Sequence, residues 1–473
     1  MIGRMANFAG VVTTGIYCRP ACGAQPRSTN VYGFTLAASA EAAGLRACLQ
    51  CRPYRTQPPL NWDGPDVVCR GVRLILNGGL DNAAEEDLAA RLAISARHLR
   101  RLFVEHLGVT PDELARSTRA HFARRLIDDT DFTMAEIAFM AGFGSIRQFN
   151  RACSEIFRAS PRELRAKRRV KDRLVADGGL ILRLPFQGPL DWDRMLGYLA
   201  ARAIPGVENV SNRTYRRTVM IDGDPGMFEL LPGGPDHLLL RAHIPHWEGL
   251  IHIAHRARQI FNLDAEVRVA VEHLRSDPLL KRLGGALPGV RPPGTWDAFE
   301  TGVQAIAGQR LEPQVAASLT ARLSDAYGTP MGGLEIFGLT RTFPSAATLE
   351  SSDLDRLGIP KGKADTIRSF AGAVVGGTVR LDGSQPYDAL TQVLRELPGM
   401  GPQTAEYLAF RLGERDALPM SSTALRNTLS RVTRRQLTQD KLSQLADSWR
   451  PWRAHAAALL QFATTRKGAS SAA

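Results

Sequence analysis

The sequence predicts a multi-domain protein that is mainly α-helical with α+β parts, and three features of the chain lead to this prediction. Four of its six cysteines stand in two short-spaced pairs near the N-terminus. Two similar helical units with basic surfaces follow over residues 67–170. Strand-like stretches then give way, from about residue 250, to a second block with helical periodicity. With 473 residues, the chain has room for about three or four domains.

The composition indicates a folded protein that binds a polyanion. Hydrophobic residues make up 44% of the chain and charged residues 23%, which is ordinary for a globular protein. The net charge of +13 favours nucleic acid, ahead of a membrane surface, as the partner. Residues 1–170 hold 24 Lys and Arg against 16 Asp and Glu, so most of the excess lies there. Composition alone does not separate DNA from RNA.

The cellular compartment is predicted from what the sequence lacks. The opening MIGRMANFAG has no apolar core of the kind a secretory signal needs, and no run of about 18 apolar residues follows. We therefore expect no membrane partner and a cytoplasmic location. Thiols stay reduced in the cytoplasm, so paired cysteines favour a metal over disulfides there. Cys69 and Cys153 stand alone and are expected to be ordinary core residues.

The paired cysteines have the spacing of a tetrahedral zinc site. They read Cys18-x3-Cys22, then 25 residues, then Cys48-x2-Cys51. Each pair grips the ion from one turn, and the intervening chain folds back to bring the pairs together. The sequence therefore predicts Zn²⁺ as a cofactor with these four ligands. From spacing alone, an inert structural zinc clip is the simplest interpretation.

The residues around the cysteines suggest more than a clip. The string TTGIYCRPAC, followed by CLQCRP, resembles the zinc-binding methyl-acceptor domain of the Ada family. This resemblance implies that residues 1–58 form that domain and that Cys18 accepts a methyl group from DNA. Family members usually carry a helical and strand segment before this string, whereas about a dozen residues precede it here. The packing of the domain is left open by this short start, which a misassigned start codon would also explain.

The first helical unit, DLAARLAISARHLRRLFVEHLG (87–108), has an apolar stripe and a basic face. The stripe consists of Leu88, Leu92, Leu99, Leu102 and Phe103. Ser95 is placed to cap the second helix of the unit. That helix is expected to expose three arginines, Arg97, Arg100 and Arg101.

The second unit, MAEIAFMAGFGSIRQFNRACSEIF (134–157), repeats this plan. Its core candidates are Ile137, Ala141, Phe143, Phe149 and Phe157. Gly142 stands where a helix-turn-helix needs a tight turn, and Ser145 is placed to cap the next helix. The polar residues that cluster on this helix are Arg147, Gln148, Asn150 and Arg151.

The pattern AxxAGFGSxRQFNRxxxxxF, followed by ASPRELR, resembles the AraC-type transcription regulators. This resemblance implies that residues 66–172 place two helices in successive major grooves of a double-stranded operator in a bacterial nucleoid. Arg can bond guanine, and Gln adenine, through two hydrogen bonds each. A transcription activator would also bring in RNA polymerase as a candidate partner. A helical packing domain with merely solvated arginines is the alternative.

The second half of the chain combines strands with a helical hairpin. Period-two patterns predict strands at residues 180–186, 215–222 and 237–244. The string LRELPGMGPQTAEYLAFRLG (394–413) has the form of a helix-hairpin-helix. In such a hairpin, Gly399 and Gly401 would let backbone N–H groups at a helix start bind a DNA phosphate.

The hairpin belongs to a longer resemblance. Together with RARQIFNLDAE, PGVRPPGTWDAFETGVQAIAGQ and WRPWRAHAA, it resembles the 3-methyladenine DNA glycosylases of the helix-hairpin-helix superfamily. The resemblance implies an α+β domain over residues 178–285 and a glycosylase-like domain over residues 286–466. The order of domains matches fused proteins in which an Ada-type regulator precedes a glycosylase. These resemblances cover nearly the whole chain.

One departure affects the predicted catalytic position. The family carries an Asp in a string like FPASDLGL, whereas this chain reads LPMSSTAL, and the aspartate position falls on Ser422. A neutral hydroxyl does not offset the positive charge that develops as a base leaves, which commonly costs about 10²–10⁴ in rate. Asp416 is near in sequence, but the family also has an acid there, so Asp416 is not an evident replacement.

Two further departures fall on the predicted lesion pocket. Gln403 replaces a Trp that lines this pocket in the family, and Arg310 follows Gln309 where the family has a DNA-wedging residue. We expect a single-turnover methyltransferase and regulator whose glycosylase fold binds DNA with weak or absent base excision. An active 3-methyladenine glycosylase of base-excision repair, targeted by the N-terminal half, is the alternative. A DNA-binding regulator with an inert zinc is a third.

Overall fold

The computed structural model describes residues 6–20, 22–23, 30–55, 65–169, 172–174, 179–433 and 439–463. The chain divides into two compact units. Unit 1 comprises Met1–Gln187 and His246–Arg256, and unit 2 comprises Gly188–Pro245 and Ala257–Ala473. Among the described residues, no helix is both long and apolar enough to cross a bilayer.

Unit 1 begins with a small sheet that we call the cysteine module, residues 6–55. Its elements are β1 (Phe8–Val11), β2 (Ile16–Cys18), β3 (Val31–Phe34), α1 (Ala37–Ala42) and β4 (Arg46–Ala47). The strand order is β3-β1-β2-β4, with β1 antiparallel to both neighbours and β2 parallel to β4. Since β2 ends at Cys18 and β4 leads into Cys48, the parallel pairing brings both cysteine pairs to one end of the sheet.

Seven helices follow the cysteine module. They are α2 (Asp66–Leu76), α3 (Glu85–Arg91), α4 (Ala96–Leu107), α5 (Pro111–Asp129), α6 (Met134–Met140), α7 (Ile146–Phe157) and α8 (Pro161–Ala166). The long helix α5 is central, because it contacts α1, α2, α4, α6, α7 and α8. A strand, β5 (Leu180–Pro185), ends the first segment of unit 1.

Both predicted helix caps are confirmed. The Ser95 side chain accepts a hydrogen bond from the backbone N–H of His98, and that of Ser145 accepts one from Gln148, each at 3.2 Å. Gly142 has a φ of +79°, which suits the tight turn before α7. These local features start α4 and α7 at the predicted residues.

The core of unit 1 joins the cysteine module to the first helical unit. The predicted stripe residues Leu88, Leu92, Leu99 and Phe103 are buried, and Leu102 is half-buried against them. Leu36 and Ala38 from the cysteine module belong to the same cluster. The predicted core residues of the second unit are also buried, namely Ile137, Ala141, Phe143, Phe149 and Phe157.

Unit 2 begins with an α+β part. It contains α9 (Trp192–Ala200), β6 (Glu208–Ser211), β7 (Thr214–Ile221), β8 (Asp224–Pro232) and β9 (His237–His243). The strands pair antiparallel in sequence order, with Thr218 opposite Met227 and Phe228 opposite Ala242. The three predicted strands are confirmed as β5, β7 and β9. Strands β6 and β8 were not predicted from the sequence.

The helical part of unit 2 contains the predicted hairpin. Helix α10 (Leu250–Ile260) begins in the second segment of unit 1 and ends in unit 2. The other helices, all in unit 2, are α11 (Val267–Leu274), α12 (Pro278–Ala286), α13 (Ala298–Ala307), α14 (Pro313–Tyr327), α15 (Ala346–Glu350), α16 (Lys361–Val375), α17 (Tyr387–Glu396), α18 (Pro402–Arg411), α19 (Thr423–Thr433), α20 (Gln439–Asp447) and α21 (Arg453–Ala463). Phe299 of α13 stacks on Phe370 of α16 with ring centroids 5.5 Å apart. Leu408 of α18 lies in the same buried cluster, so one core fixes α13, α16 and the hairpin together.

Candidate metal centre and nucleic-acid interface

The four predicted ligand cysteines converge. The sulfur atoms of Cys18, Cys22, Cys48 and Cys51 all lie within 4.8 Å of one another. Tetrahedral Zn²⁺ with Zn–S bonds of about 2.3 Å holds its sulfurs about 3.8 Å apart, so this arrangement fits the ion. Cys69 and Cys153, by contrast, are buried in α2 and α7 as expected.

The sulfurs differ in their hydrogen bonds. Cys51 Sγ accepts the backbone N–H of Arg19 at 3.4 Å. Burial acts to raise the pKa of the Cys48 thiol, but backbone N–H groups of Cys51 and Gln50 bond to it and the net shift is downward. Cys18 Sγ has the Cys48 side chain as a hydrogen-bond partner.

The four cysteines also differ in their exposure to solvent. Cys18 is only 6% exposed, whereas Cys51 is half-buried. Burial and the neighbouring cysteines raise the pKa of the Cys18 thiol, so without a metal this group would hold its proton at neutral pH. A cation bound among the sulfurs would make it a thiolate. The four thiol groups therefore suit a metal ion.

Helix α4 presents its predicted arginines to solvent. Arg97, Arg100 and Arg101 are exposed, while Leu99 and Phe103 on the opposite face are fully buried. Two of the arginines have side-chain contacts with residues of α3 or α4. Arg100 Nε lies 3.4 Å from Glu85 Oε2, and Arg101 Nη2 lies 3.0 Å from His98 Nδ1.

Helix α7 has the same two-faced character. Its predicted polar residues Arg147, Gln148, Asn150 and Arg151 are all exposed. On the buried face, Phe149 and Cys153 are 0% exposed. Arg151 Nε donates to Glu155 Oε1 at 2.8 Å, one turn further along the helix. Helices α4 and α7 therefore each present basic side chains to solvent and bury the opposite face.

The two hairpin glycines have different roles. Gly399 has a φ of +79°, and a Cβ added there would lie 1.9 Å from Thr366 Oγ1. Gly401 precedes α18 with a φ of −69°, a value that any residue adopts, and a Cβ there would meet nothing within 4 Å. Gly399 is thus required by the turn itself, whereas Gly401 leaves open space at the N-terminus of α18.

Gln309 braces the hairpin. Its Nε2 donates to the carbonyl of Gly399 at 3.1 Å and to Thr404 Oγ1 at 3.0 Å. The next residue, Arg310, is exposed and adopts a left-handed conformation with φ of 60°. Gln403 is also exposed.

A second side chain that holds this loop, Lys363, was not predicted from the sequence. Lys363 Nζ donates to the carbonyls of Ala307 at 2.5 Å and Gln309 at 3.0 Å. It therefore caps the C-terminal end of α13. A lysine in the first turn of a helix gives no sequence signal for such a role.

The Ser422 position has no carboxylate of its own, and the nearby acids are engaged. Glu406 is buried and accepts the backbone N–H of Ser421 at 2.8 Å and Arg395 Nη2 at 2.8 Å. Asp416 pairs with Arg450 and accepts Arg453 Nε at 2.8 Å. These contacts hold both carboxylates in ion pairs.

Comparisons with known proteins agree with this architecture. The chain matches three family models: "Metal binding domain of Ada" over residues 5–54, "Helix-turn-helix domain" over 88–167 and "AlkA N-terminal domain" over 181–297. A "Probable bifunctional transcriptional activator/DNA repair enzyme AlkA" from Mycobacterium tuberculosis is 36% identical over 455 residues. This alignment covers 94% of the present chain and 90% of the relative.

The chain belongs to the family of this bifunctional transcriptional activator/DNA repair enzyme. The match to the metal-binding domain of Ada and the four converging sulfurs together identify Zn²⁺ as the metal of this site. The predicted mainly α fold, with its zinc, helix-turn-helix and glycosylase-like parts, is confirmed.

Other relatives match parts of the chain. DNA-3-methyladenine glycosylase 2 of Escherichia coli is 32% identical over 281 residues, covering 58% of this chain and 94% of the relative. Escherichia coli Ada is 30% identical over 156 residues, covering 33% of this chain and 43% of the relative. A 3-methyladenine DNA glycosylase from Archaeoglobus fulgidus shares the fold, with a TM-score of 0.51 and 17% identity over 59% of this chain and 96% of that one.

Proposed function

We propose that this chain is a DNA-alkylation-responsive transcription regulator that takes a methyl group from DNA methylphosphotriesters onto Cys18. The observation that carries the proposal is the cluster of four cysteine sulfurs, all within 4.8 Å of one another, to which Cys18 belongs. The resemblance of TTGIYCRPAC to the methyl-acceptor string of the Ada family points to Cys18 among the four. The same compact unit holds two helix-turn-helix elements with exposed basic faces. Double-stranded DNA is therefore both substrate and regulatory partner.

The transfer is a direct displacement at carbon. The Cys18 sulfur attacks the methyl carbon of the triester, so that an S–C bond forms and the O–CH₃ bond breaks. The phosphodiester leaves as an anion, and no proton is transferred. Zinc, when bound, keeps the four sulfurs deprotonated near neutral pH. The product is a stable thioether, so each chain transfers one methyl group and is then consumed.

Methylation would also change how the chain binds DNA. Four thiolates around Zn²⁺ carry a net charge of −2, and one thioether reduces this to −1. At about 8 Å from a phosphate and an effective dielectric of about 40, that change relieves about 1 kcal/mol of repulsion. A few phosphates would give a tenfold gain in operator affinity, since about 1.4 kcal/mol corresponds to a factor of ten. Activation at the bacterial nucleoid would then involve RNA polymerase.

Peptide mass spectrometry tests the acceptor assignment. The zinc-loaded chain is incubated with methylated duplex DNA, and one added methyl group is expected on the Cys18 peptide. Cys153→Ser is a suitable control, because Cys153 is buried in α7 away from the cluster. Cys18→Ser should remove the label. Methyl on Cys51, the more exposed sulfur, or on no cysteine would overturn the assignment.

For the glycosylase-like half, we propose DNA binding with weak or absent base excision. Ser422 offers a hydroxyl where the family resemblance places a carboxylate, and Glu406 and Asp416 are committed to arginines. The second candidate function is an active 3-methyladenine glycosylase, which the 32% identity over 281 residues to the Escherichia coli enzyme DNA-3-methyladenine glycosylase 2 favours. Base release from methylated duplex DNA separates the two. Release at the rate of that enzyme would establish the second.

A further inference from the structure

A buried ionic cluster lies where the segment after Cys51 meets helix α5. Arg52 pairs with Asp172 and lies 3.7 Å from Asp128 Oδ2. Arg55 Nη1 lies 2.9 Å from Asp129 Oδ1, and Arg55 Nη2 lies 3.2 Å from Asp128 Oδ2. Two arginines of the cysteine module are thus bound to the last two residues of α5.

These contacts hold charges that are removed from water. Asp128 is 0% exposed and Asp129 is 2% exposed. Carboxylates at a helix C-terminus are disfavoured by the helix dipole, and buried charges need partners, so this pair depends on several arginines. Besides the two module arginines, Arg124 Nη2 lies 3.0 Å from Asp128 Oδ1, and Arg183 Nη1 lies 3.0 Å from Asp129 Oδ1. Tyr54 adds a hydrogen bond, because its hydroxyl donates to Asp128 Oδ2 at 3.1 Å.

The backbone at Arg52 is an independent observation. Arg52 has a φ of 48°, in the left-handed region that non-glycine residues rarely adopt. Such a conformation persists only where the surroundings over-determine it. Here it turns the chain from the fourth cysteine directly into the cluster with Asp128 and Asp172.

The first cysteine pair is tied to the same helix. The Tyr17 hydroxyl, one residue before Cys18, donates to Glu41 Oε1 at 2.7 Å. Ser117 Oγ of α5 donates to Glu41 Oε2, also at 2.7 Å. Helix α5 is therefore linked to the chain next to both cysteine pairs. The same helix also contacts α4 and α7.

We propose that Arg52 and Arg55 are positioning residues that hold the Cys18 sulfur at a fixed place relative to α4 and α7. One DNA duplex then meets the sulfur and both recognition helices together. Methylation changes operator affinity without any movement between the cysteine module and the helices. This inference rests on the proposed methyl-acceptor function and adds the residues that link it to operator binding.

Arg55 variants test the link in the full-length zinc-loaded chain. Arg55→Leu, Arg55→Lys and the control Arg116→Leu, which breaks an ion pair of α5 at 3.4 Å with partly exposed side chains, are compared. Methyl transfer to Cys18 should be native in all three. Arg55→Leu should lose the roughly tenfold methylation-dependent gain in operator affinity, and Arg55→Lys and Arg116→Leu should keep most of it. A full gain in Arg55→Leu would overturn the proposal.

Hydrogen exchange of the native chain tests the link without a variant and without methyl transfer. Removing zinc with a chelator should speed amide exchange at residues 125–129 of α5. Arg52 and Arg55 directly follow the ligand Cys51, so their positions become less fixed when the metal no longer holds this cysteine. Unchanged exchange there would overturn the proposal, whatever Cys18 does with methylated DNA. A failure of methyl transfer alone, seen by mass spectrometry, would instead overturn the proposed function.

Discussion

Ser422 caps helix α19: its Oγ accepts a hydrogen bond from the backbone N–H of Leu425 at 3.3 Å. The next turn is anchored as well, since the Arg426 N–H donates to the Ser422 carbonyl at 3.1 Å. An aspartate makes the same kind of cap and adds a negative charge at the positive end of the helix dipole. Ser422 therefore offers the cap that an aspartate would offer, without the negative charge.

Ser422→Asp should accordingly raise base release from methylated duplex DNA. The cap is retained, and the new carboxylate would stabilise the cation-like sugar, so we expect a gain of about 10²–10⁴ in rate. The measurement is release of free 3-methyladenine per chain. Ser421→Asp serves as the control, because Ser421 bonds to Glu406 and a second carboxylate there gives repulsion without catalysis. No gain in Ser422→Asp would show that Gln403 and Arg310 suffice to disable the site.

The hairpin glycines provide a matched pair of substitutions. Gly399→Ala should destabilise unit 2 by more than about 2 kcal/mol, since it combines a left-handed φ with a clash against Thr366. Gly401→Ala should leave unfolding unchanged within about 0.5 kcal/mol, because its Cβ enters open space. That space lies at the start of α18, where a phosphate would approach, so duplex affinity should fall. Urea unfolding and duplex titration check both, and equal stability of the two variants would contradict this account.

The polar face of α7 should carry sequence recognition. Gln148→Ala is expected to weaken operator binding by about 1–3 kcal/mol and to leave binding to random duplex nearly unchanged. Arg151→Ala should instead weaken both and lower the salt dependence of binding by about one counterion. Titrations at several salt concentrations, with operator and scrambled DNA, measure this. An equal loss on both DNAs for Gln148→Ala would contradict its role in base recognition.

How far the sequence predicts this protein depends on how local each feature is. The caps at Ser95 and Ser145 depend on spacing within one helix, and the buried stripe ending at Phe103 depends on spacing across two consecutive helices, so both can be predicted from the sequence. Strand β8 was missed because it begins Asp-Pro-Gly, a typical turn sequence. The pairing of Arg55 with Asp129 joins residues far apart in sequence. No local periodicity marks such a contact.

Acid should destabilise unit 2 through His455. This residue is 3% exposed, its Nε2 has no hydrogen-bond partner among the described residues, and burial together with the nearby Arg291 lowers its pKa to about 4. The unfolded chain takes up a proton below about pH 6.5, while the folded chain stays neutral down to about pH 4. The free energy of unfolding should therefore fall by about 1.4 kcal/mol per pH unit over this range, about 3 kcal/mol in all, from this group.

A His455→Leu variant isolates that contribution from the other groups that titrate in acid. Leucine fills the buried position in α21 with an apolar side chain and removes the proton acceptor. The unfolding free energy of the variant should therefore fall less steeply than that of the native chain between about pH 6.5 and pH 4. Urea unfolding followed by the fluorescence of the buried Trp449 and Trp452 gives the two pH profiles. Parallel profiles for the native chain and the variant would mean that His455 already carries its proton in the folded state, against the effect expected from burial beside Arg291.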